Sequence, residues 1–242
     1  MLFWRDRLVA RVSLQEAIDR QAEFLNSQPS GQSLDASYEG AVRLLRSAAT
    51  QKAFQLGAEP AKMRDRYGMH HFAQSLLLAR RLVEAGVPLT TVYWNSPTNA
   101  DNQSWDTHTN SFNRLKEHLL PAFDRAFSAL LDDLADRGLL DETLVVVHGE
   151  FGRTPKINRD AGRDHWGFCQ SAILAGGGVR GGLVYGSSDR SGGYPASLPV
   201  SPDDISATIL DSLGIDFHAE MVDPQGRPHR LSDGEVIRGI LA

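Results

Sequence analysis

Apolar positions change their period near residue 86, and the change separates a helical part of the chain from a part that carries strands. Leu14, Ala17, Ile18, Ala22 and Leu25 recur at three- and four-residue intervals, which marks one buried helix face. The run stops at the SQPSG stretch (27–31), and Ser33 and Asp35 offer N-caps before Tyr38 to Leu45 resumes the pattern. A third helix over 71–85 gathers Phe72, Leu76, Leu77, Ala79, Leu82 and Val83 on one side, with Gly86 placed to close it.

Beyond Gly86 the residue types are those of strands. Val87 to Trp94 is β-branched and aromatic, Thr143 to His148 is apolar enough to be buried on both faces, and Ser171 to Ala175 reads as a third strand. Between the first two, a polar loop leads into a long helix from about 110 to 137, with Pro121 as a kink and Gly138 at its end. The glycine-rich segment 176–186 reads as a hairpin, and one more helix is expected near 202–213. Helix and strand in alternation predict an α/β fold, a mostly parallel sheet flanked by helices. In that reading 1–86 is the helical segment and 87–242 holds the sheet and its loops.

Composition narrows the function classes. The chain has 242 residues, 41% hydrophobic and 23% charged, so a sizeable core is expected and disorder is not. A net charge of −5 leaves no basic excess to neutralise phosphates, which excludes a general nucleic-acid binder. No apolar run approaches the ~18 residues of a membrane span. The N-terminus shows no basic stretch followed by an apolar one, so no export signal is visible and the chain as written is cytoplasmic. Cys169 is the single cysteine, which rules out an internal disulfide and a thiolate zinc site.

Ligands in open α/β sheets bind beyond the carboxyl ends of the strands, and two polar loops leave such ends here. The first closes on Trp105-Asp106-Thr107-His108; the second opens on Gly149-Glu150-Phe151-Gly152-Arg153 and contains Gly162-Arg163-Asp164-His165-Trp166. Asp106, His108, Glu150 and His165 form a mixed nitrogen and oxygen set suited to Zn²⁺ or Mn²⁺, with Ca²⁺ or Mg²⁺ as further choices. An Asp-x-His pair can converge on one ion from an extended loop, not from a helix, where i and i+2 diverge. In isolation such a pair is often just a turn aspartate beside a surface histidine; its place just after a predicted strand favours the ligand reading. Arg153, Lys156 and Arg163, with Arg159, could hold a phosphate or sulfate; a solvated loop balanced by Asp160 and Asp164 is the competing reading.

Longer motifs carry a resemblance. Val145 to Asn158 (VVVHGEFGRTPKIN), Gly162 to Trp166 (GRDHW), Leu174 to Gly182 (LAGGGVRGG), Trp105 to His108 (WDTH), Arg66 to Gly68 (RYG), Leu77 to Gly86 (LLARRLVEAG) and Leu139 to Thr143 (LLDET) resemble the bacterial family called domain of unknown function 1501. That family is grouped with sulfatases and alkaline phosphatases, and Asp204 to Ile215 looks like a late packing helix of sulfatases. The resemblance implies a metal-dependent phosphate or sulfate ester hydrolase acting on a small anionic ester.

By analogy with the related cofactor-independent phosphoglycerate mutases, Asp106, His108 and His165 would hold one metal and Glu150 would serve a second. Phe151 stands where that motif has a histidine ligand, and the spacing from Asp106 to His108 is shorter than in the mutases. The superfamily's first strand, with its Asp ligand and Ser or Thr nucleophile, has no counterpart in the sequence. The resemblance therefore implies an N-terminally truncated chain, its missing segment supplied by another chain, with little hydrolysis of its own. Family members are often exported to the periplasm. The competing class is a non-catalytic metal- or partner-binding relic of the same fold.

Overall fold

The computed structural model describes residues 39–40, 42–44, 47–94 and 104–242; the helix expected over 14–25 lies outside them. The chain divides into two units, Met1–Lys52 and Ala53–Ala242. The first is represented by helical residues 39–40 and 42–44 and by α1 (Ala48–Ala53), whose last residue belongs to the second.

The second unit is built on α2 (Ala61–Tyr67), α3 (His71–Glu84) and α5 (Leu120–Asp136). α3 forms because Phe72, Ala73, Leu76, Leu77, Arg80 and Arg81 share one buried face. His70 caps its start, Nδ1 accepting from Ala73 N–H at 3.4 Å. Its end is a Schellman motif: Gly86, at φ 83°, donates to Val83 O while Val87 donates to Leu82 O. Gly138 closes α5 in the same way, with Leu139 donating to Leu134 O.

The core consists of Tyr67, Phe72, Ala73, Leu76, Leu77, Ala126, Ala129, Leu130 and Leu134, with Val92, Trp94 and Val145 packed against it. Leu77 and Leu134 are fully enclosed, and truncating either to alanine is expected to cost about 2–5 kcal/mol.

At one edge of this apolar core sits a charge cluster. Arg80, with no side-chain exposure, lies 2.9 Å from Glu59 Oε1 and 2.7 Å from Asp133 Oδ2. Tyr67 Oη donates to Asp133 at 2.9 Å, and Arg81 pairs with Glu59. Burial and the Asp133 charge push the Tyr67 phenol up.

The long helix expected over 110–137 is present in three pieces: α4 (Ser111–Arg114), a π-helical turn (Leu115–Leu119) and α5. The widened turn falls just before Pro121, which has no N–H to return to the preceding turn. Near 202–213 the expected helix is α6 (Pro202–Ser212), opened by a capping box between Ser201 and Asp204.

The fold is mixed α/β, with helices and small antiparallel sheets. Each described sheet has two strands: β1 (Val145–Val147) with β4 (Ile173–Ala175), β2 (Gly152–Arg153) with β3 (His165–Trp166), β5 (Ser187–Ser188) with β6 (Pro195–Ser197), and β7 (Glu220–Val222) with β8 (Pro228–Arg230). A mostly parallel sheet is thus not what the described strands form. The expected strands at 143–148 and 171–175 do exist in shortened form, but they run antiparallel, joined through the loop that carries β2 and β3. Val87 to Trp94 is irregular and forms no ladder.

The segment 176–186 is not a hairpin. Gly176, Gly177 and Gly178 all have positive φ, and Gly177 donates to Leu140 O at 3.0 Å. A Cβ on Gly176 would come within 2.4 Å of Leu140 O and Thr143 O, so the glycines serve a close crossing of backbones. Among the described residues no helix is long and apolar enough to cross a membrane.

Candidate metal centre

Two backbone segments distant in sequence run side by side and make the site. Asn110 N–H donates to Asp160 O and Ser111 N–H to Ala161 O, both at 2.9 Å, and Arg163 N–H donates to Thr107 O at 3.1 Å. Gly162 permits the approach: a Cβ there would lie 1.8 Å from His108 O. Asn158 shapes the second segment, its Oδ1 accepting from Asp160 N–H and Gly162 N–H while its Nδ2 donates to His108 O at 2.9 Å. Buried Arg114 supports the first segment from α4, donating to Ser104 O at 2.8 Å and Asp106 O at 3.2 Å.

Thr107 is buried, its hydroxyl paired with Ser111 at 3.0 Å, while Asp106 is exposed and His108 half-buried on its two sides. β2 pairs with β3 so that Arg153 and His165 are opposed, and Arg153 and His165 both reach Asp106. His165 Nε2 is 3.0 Å from Asp106 Oδ1, and His108 Nε2 is 3.1 Å from both Asp106 Oδ1 and His165 Nε2. Three ligand atoms thus form a nearly equilateral triangle.

Ligands about 2.1 Å from one ion are separated by about 3.0 Å at right angles and about 3.4 Å in a tetrahedron, so these edges suit an open, octahedron-like face. The lone pair of His108 faces the right way as well. His108 Nδ1 lies 2.8 Å from Asp164 Oδ1; a carboxylate accepts, so Nδ1 carries the proton and Nε2 presents its lone pair. Asp106 is held down to about 2 by the hydrogen bond to His165 and then by Arg153, 2.7 Å away, and is ionised at neutral pH. Asp164 is likewise lowered, first by His108 and then by Asn158.

The remaining candidates fall elsewhere. Glu150 is exposed and is not part of the triangle. Phe151 packs against His165, ring centroids 4.1 Å apart and the planes tilted by 40°. Arg153 is half-buried and spends Nη2 on Trp105 O and Asp106, and Nη1 on Arg163 O. Arg163 places its guanidinium 5.5 Å from the Phe112 ring centre, and Lys156 is exposed.

Residue type and spacing do not mark Asn158, Asp164 and Arg114 as site residues. The one local signal was that Asp164 adjoins His165; Asn158 and Arg114 act through backbone carbonyls, which residue types do not reveal.

Neither the curated proteins nor the solved structures contain a match to the chain. The family model that does match spans residues 3–241 and is described as "Protein of unknown function (DUF1501)", and the chain belongs to that family.

Proposed function

We propose that Asp106, His108 and His165 hold one divalent metal ion, Zn²⁺ or Mn²⁺, in a centre that binds and hydrolyses a phosphate or sulfate ester. The observation that carries this reading is the triangle itself, three ligand atoms 3.0–3.1 Å apart with one imidazole oriented by a carboxylate. The residue types suit a borderline cation that accepts both imidazole and carboxylate. Such an ion supplies Lewis acidity toward an ester oxygen and lowers the pKa of water.

The chain's own groups set the conditions for that chemistry. Asp106 stays ionised and contributes charge. Asp164 fixes the tautomer and tilt of His108. Arg153 keeps a positive charge beside Asp106, where an anionic ester would approach, and Phe151 limits access over the His165 ring.

Two hydroxyls near the ligands are otherwise engaged. Ser104 Oγ accepts from Asp106 N–H at 3.1 Å, and Thr107 is buried. Neither hydroxyl donates to a general base among the described residues, so turnover by this chain is expected to be slow, with binding as the stronger signal. Glu150, Lys156 and Arg163 enter the proposal as charges around the site.

The test is calorimetric titration with Zn²⁺ and Mn²⁺, followed by aryl phosphate and aryl sulfate hydrolysis in the loaded protein. One ion per chain, lost in His165→Ala, together with slow hydrolysis lost in Asp106→Ala, is expected. Undiminished metal binding in His165→Ala would refute the ligand assignment. Stoichiometric metal with no ester binding or turnover would favour the non-catalytic reading.

A further inference from the structure

His70 holds the start of α3 with an atom that can do so in one protonation state alone. Its Nδ1 accepts from Ala73 N–H at 3.4 Å, and an imidazole nitrogen accepts only while it carries no proton. The neutral ring therefore keeps its hydrogen on Nε2. That atom is shut off from solvent without a well-formed hydrogen bond, although the Ala122 carbonyl of α5 faces the ring.

The ring is also a packing element. It lies nearly parallel to Phe72 and tilted against Trp94, with centroids 6.3 Å away in each case. Its Cδ2 and Nε2 close on Gly68, where an added Cβ would come within 3.4 and 3.5 Å of them. The aromatic series runs on from Phe72 to Trp94 at 4.5 Å and from Trp94 to Trp105 at 5.4 Å.

The surroundings resist a positive charge on this ring. Arg125 of α5 is the charged group that acts on it, and the partner of Arg125 is Asp65 of α2, 3.4 Å away. Arg64 and Arg66 of α2 turn instead to Gln74 and Asp132. Val87 to Trp94 carries no charged side chain, and the neighbouring His71 is exposed. Burial holds the His70 imidazole below its ordinary range; the Ala122 carbonyl opposes that shift and the Arg125 charge adds to it. A proton added at Nδ1 would set donor against donor at Ala73 and place a cation at the positive end of the α3 dipole.

We propose that His70 is an acid-sensitive latch on α3. Neutral, it caps the helix and completes the aromatic stack; protonated, it swings out to water, and the first turn of α3 opens together with the contact to Trp94. The latch needs no metal. A base held low in the folded state contributes its full stability above its unfolded value, about pH 6.5, and that contribution is lost as pH falls from there through the folded value. Carboxylates take up protons lower, at about pH 4, so the two effects separate.

The experiment is a nuclear magnetic resonance titration of the full chain between about pH 7.5 and about pH 5. It follows the His70 ring together with the protection of the Ala73 amide, corrected for the intrinsic pH dependence of exchange. His70 is expected to titrate below its ordinary value, and Ala73 protection should fall by about tenfold or more as it does so. His70→Asn keeps a cap acceptor that does not titrate, and Ala73 protection there should be flat over the same range. The wild-type titration decides the matter whether or not that variant folds. A His70 that titrates at or above about pH 6.5, one that gains its proton while Ala73 stays protected, one that stays neutral throughout, or an equal loss of protection in His70→Asn overturns the proposal.

Discussion

His108 Nδ1 meets the Asp164 carboxylate at 2.8 Å, so the imidazole of one loop is oriented by the residue that immediately precedes His165 in the other. The same carboxylate oxygen accepts from Asn158 Nδ2 at 3.1 Å. The two halves of the triangle therefore depend on a shared partner.

Removing that partner should weaken metal binding without unfolding the protein. Asp164→Ala is expected to lower the affinity for Zn²⁺ by about 10- to 100-fold, the usual effect of losing a carboxylate behind a ligating histidine. Calorimetric titration reads it directly. An affinity equal to wild type would mean that Asp164 does not orient His108.

Gly162→Ala should damage the site by displacement. The new Cβ would lie 1.8 Å from His108 O, and the backbone must part, at a cost of about 1–3 kcal/mol by analogy with overpacked cores. Gly167→Ala, with nothing within 4 Å, is the matched control. Urea denaturation should show a loss for the first and little for the second, and only the first should lose metal.

The helical part of the fold was legible because its signals are local. Apolar spacing on α3 and the glycines that close α3 and α5 each lie within a few residues. Strand partners are not local. The valines of β1 fit a parallel or an antiparallel neighbour equally well, and Val87 to Trp94 has strand composition with no ladder to join. Asp106, His108 and His165 were singled out by type and by loop position, and the structure places their ligand atoms together. The supports were hidden because Arg114 and Asn158 bind carbonyl oxygens, which every residue has.

Arg80 holds two buried carboxylates together, so its loss should be costly. Arg80→Met leaves Glu59 and Asp133, 7% and 1% exposed, short of a counter-charge, which typically costs about 3–5 kcal/mol. Arg66→Ala breaks a pair with Asp132 whose side chains are 40% and 61% exposed, and should cost no more than about 1 kcal/mol. Equal effects in chemical denaturation would show that the cluster is not stabilised by Arg80.

Acid should expose the same cluster. Burial alone would raise the Glu59 carboxyl, but hydrogen bonds and charge from Arg80 and then Arg81 outweigh it and hold it low. Asp133 is lowered against its burial by hydrogen bonds from Arg137 and Tyr67 and by the charge of Arg80. A carboxyl depressed in the folded state contributes stability that is fully present above its unfolded value, near pH 4, and is lost as pH falls through the folded one. Melting temperature should therefore fall steeply below about pH 4, and the slope should be shallower in Asp133→Asn.

The three amide hydrogen bonds between the segments at 107–111 and 160–163 act as a clasp. One segment bears two ligands and the other leads directly into the third, so opening the clasp separates the triangle in a single local event. An ion bound across it would keep only Asp106 and His108 as ligands once the clasp opens, so its departure is coupled to that opening. The amides of Asn110, Ser111 and Arg163 are then the reporters: their exchange should slow together, and by the same factor, as metal is added.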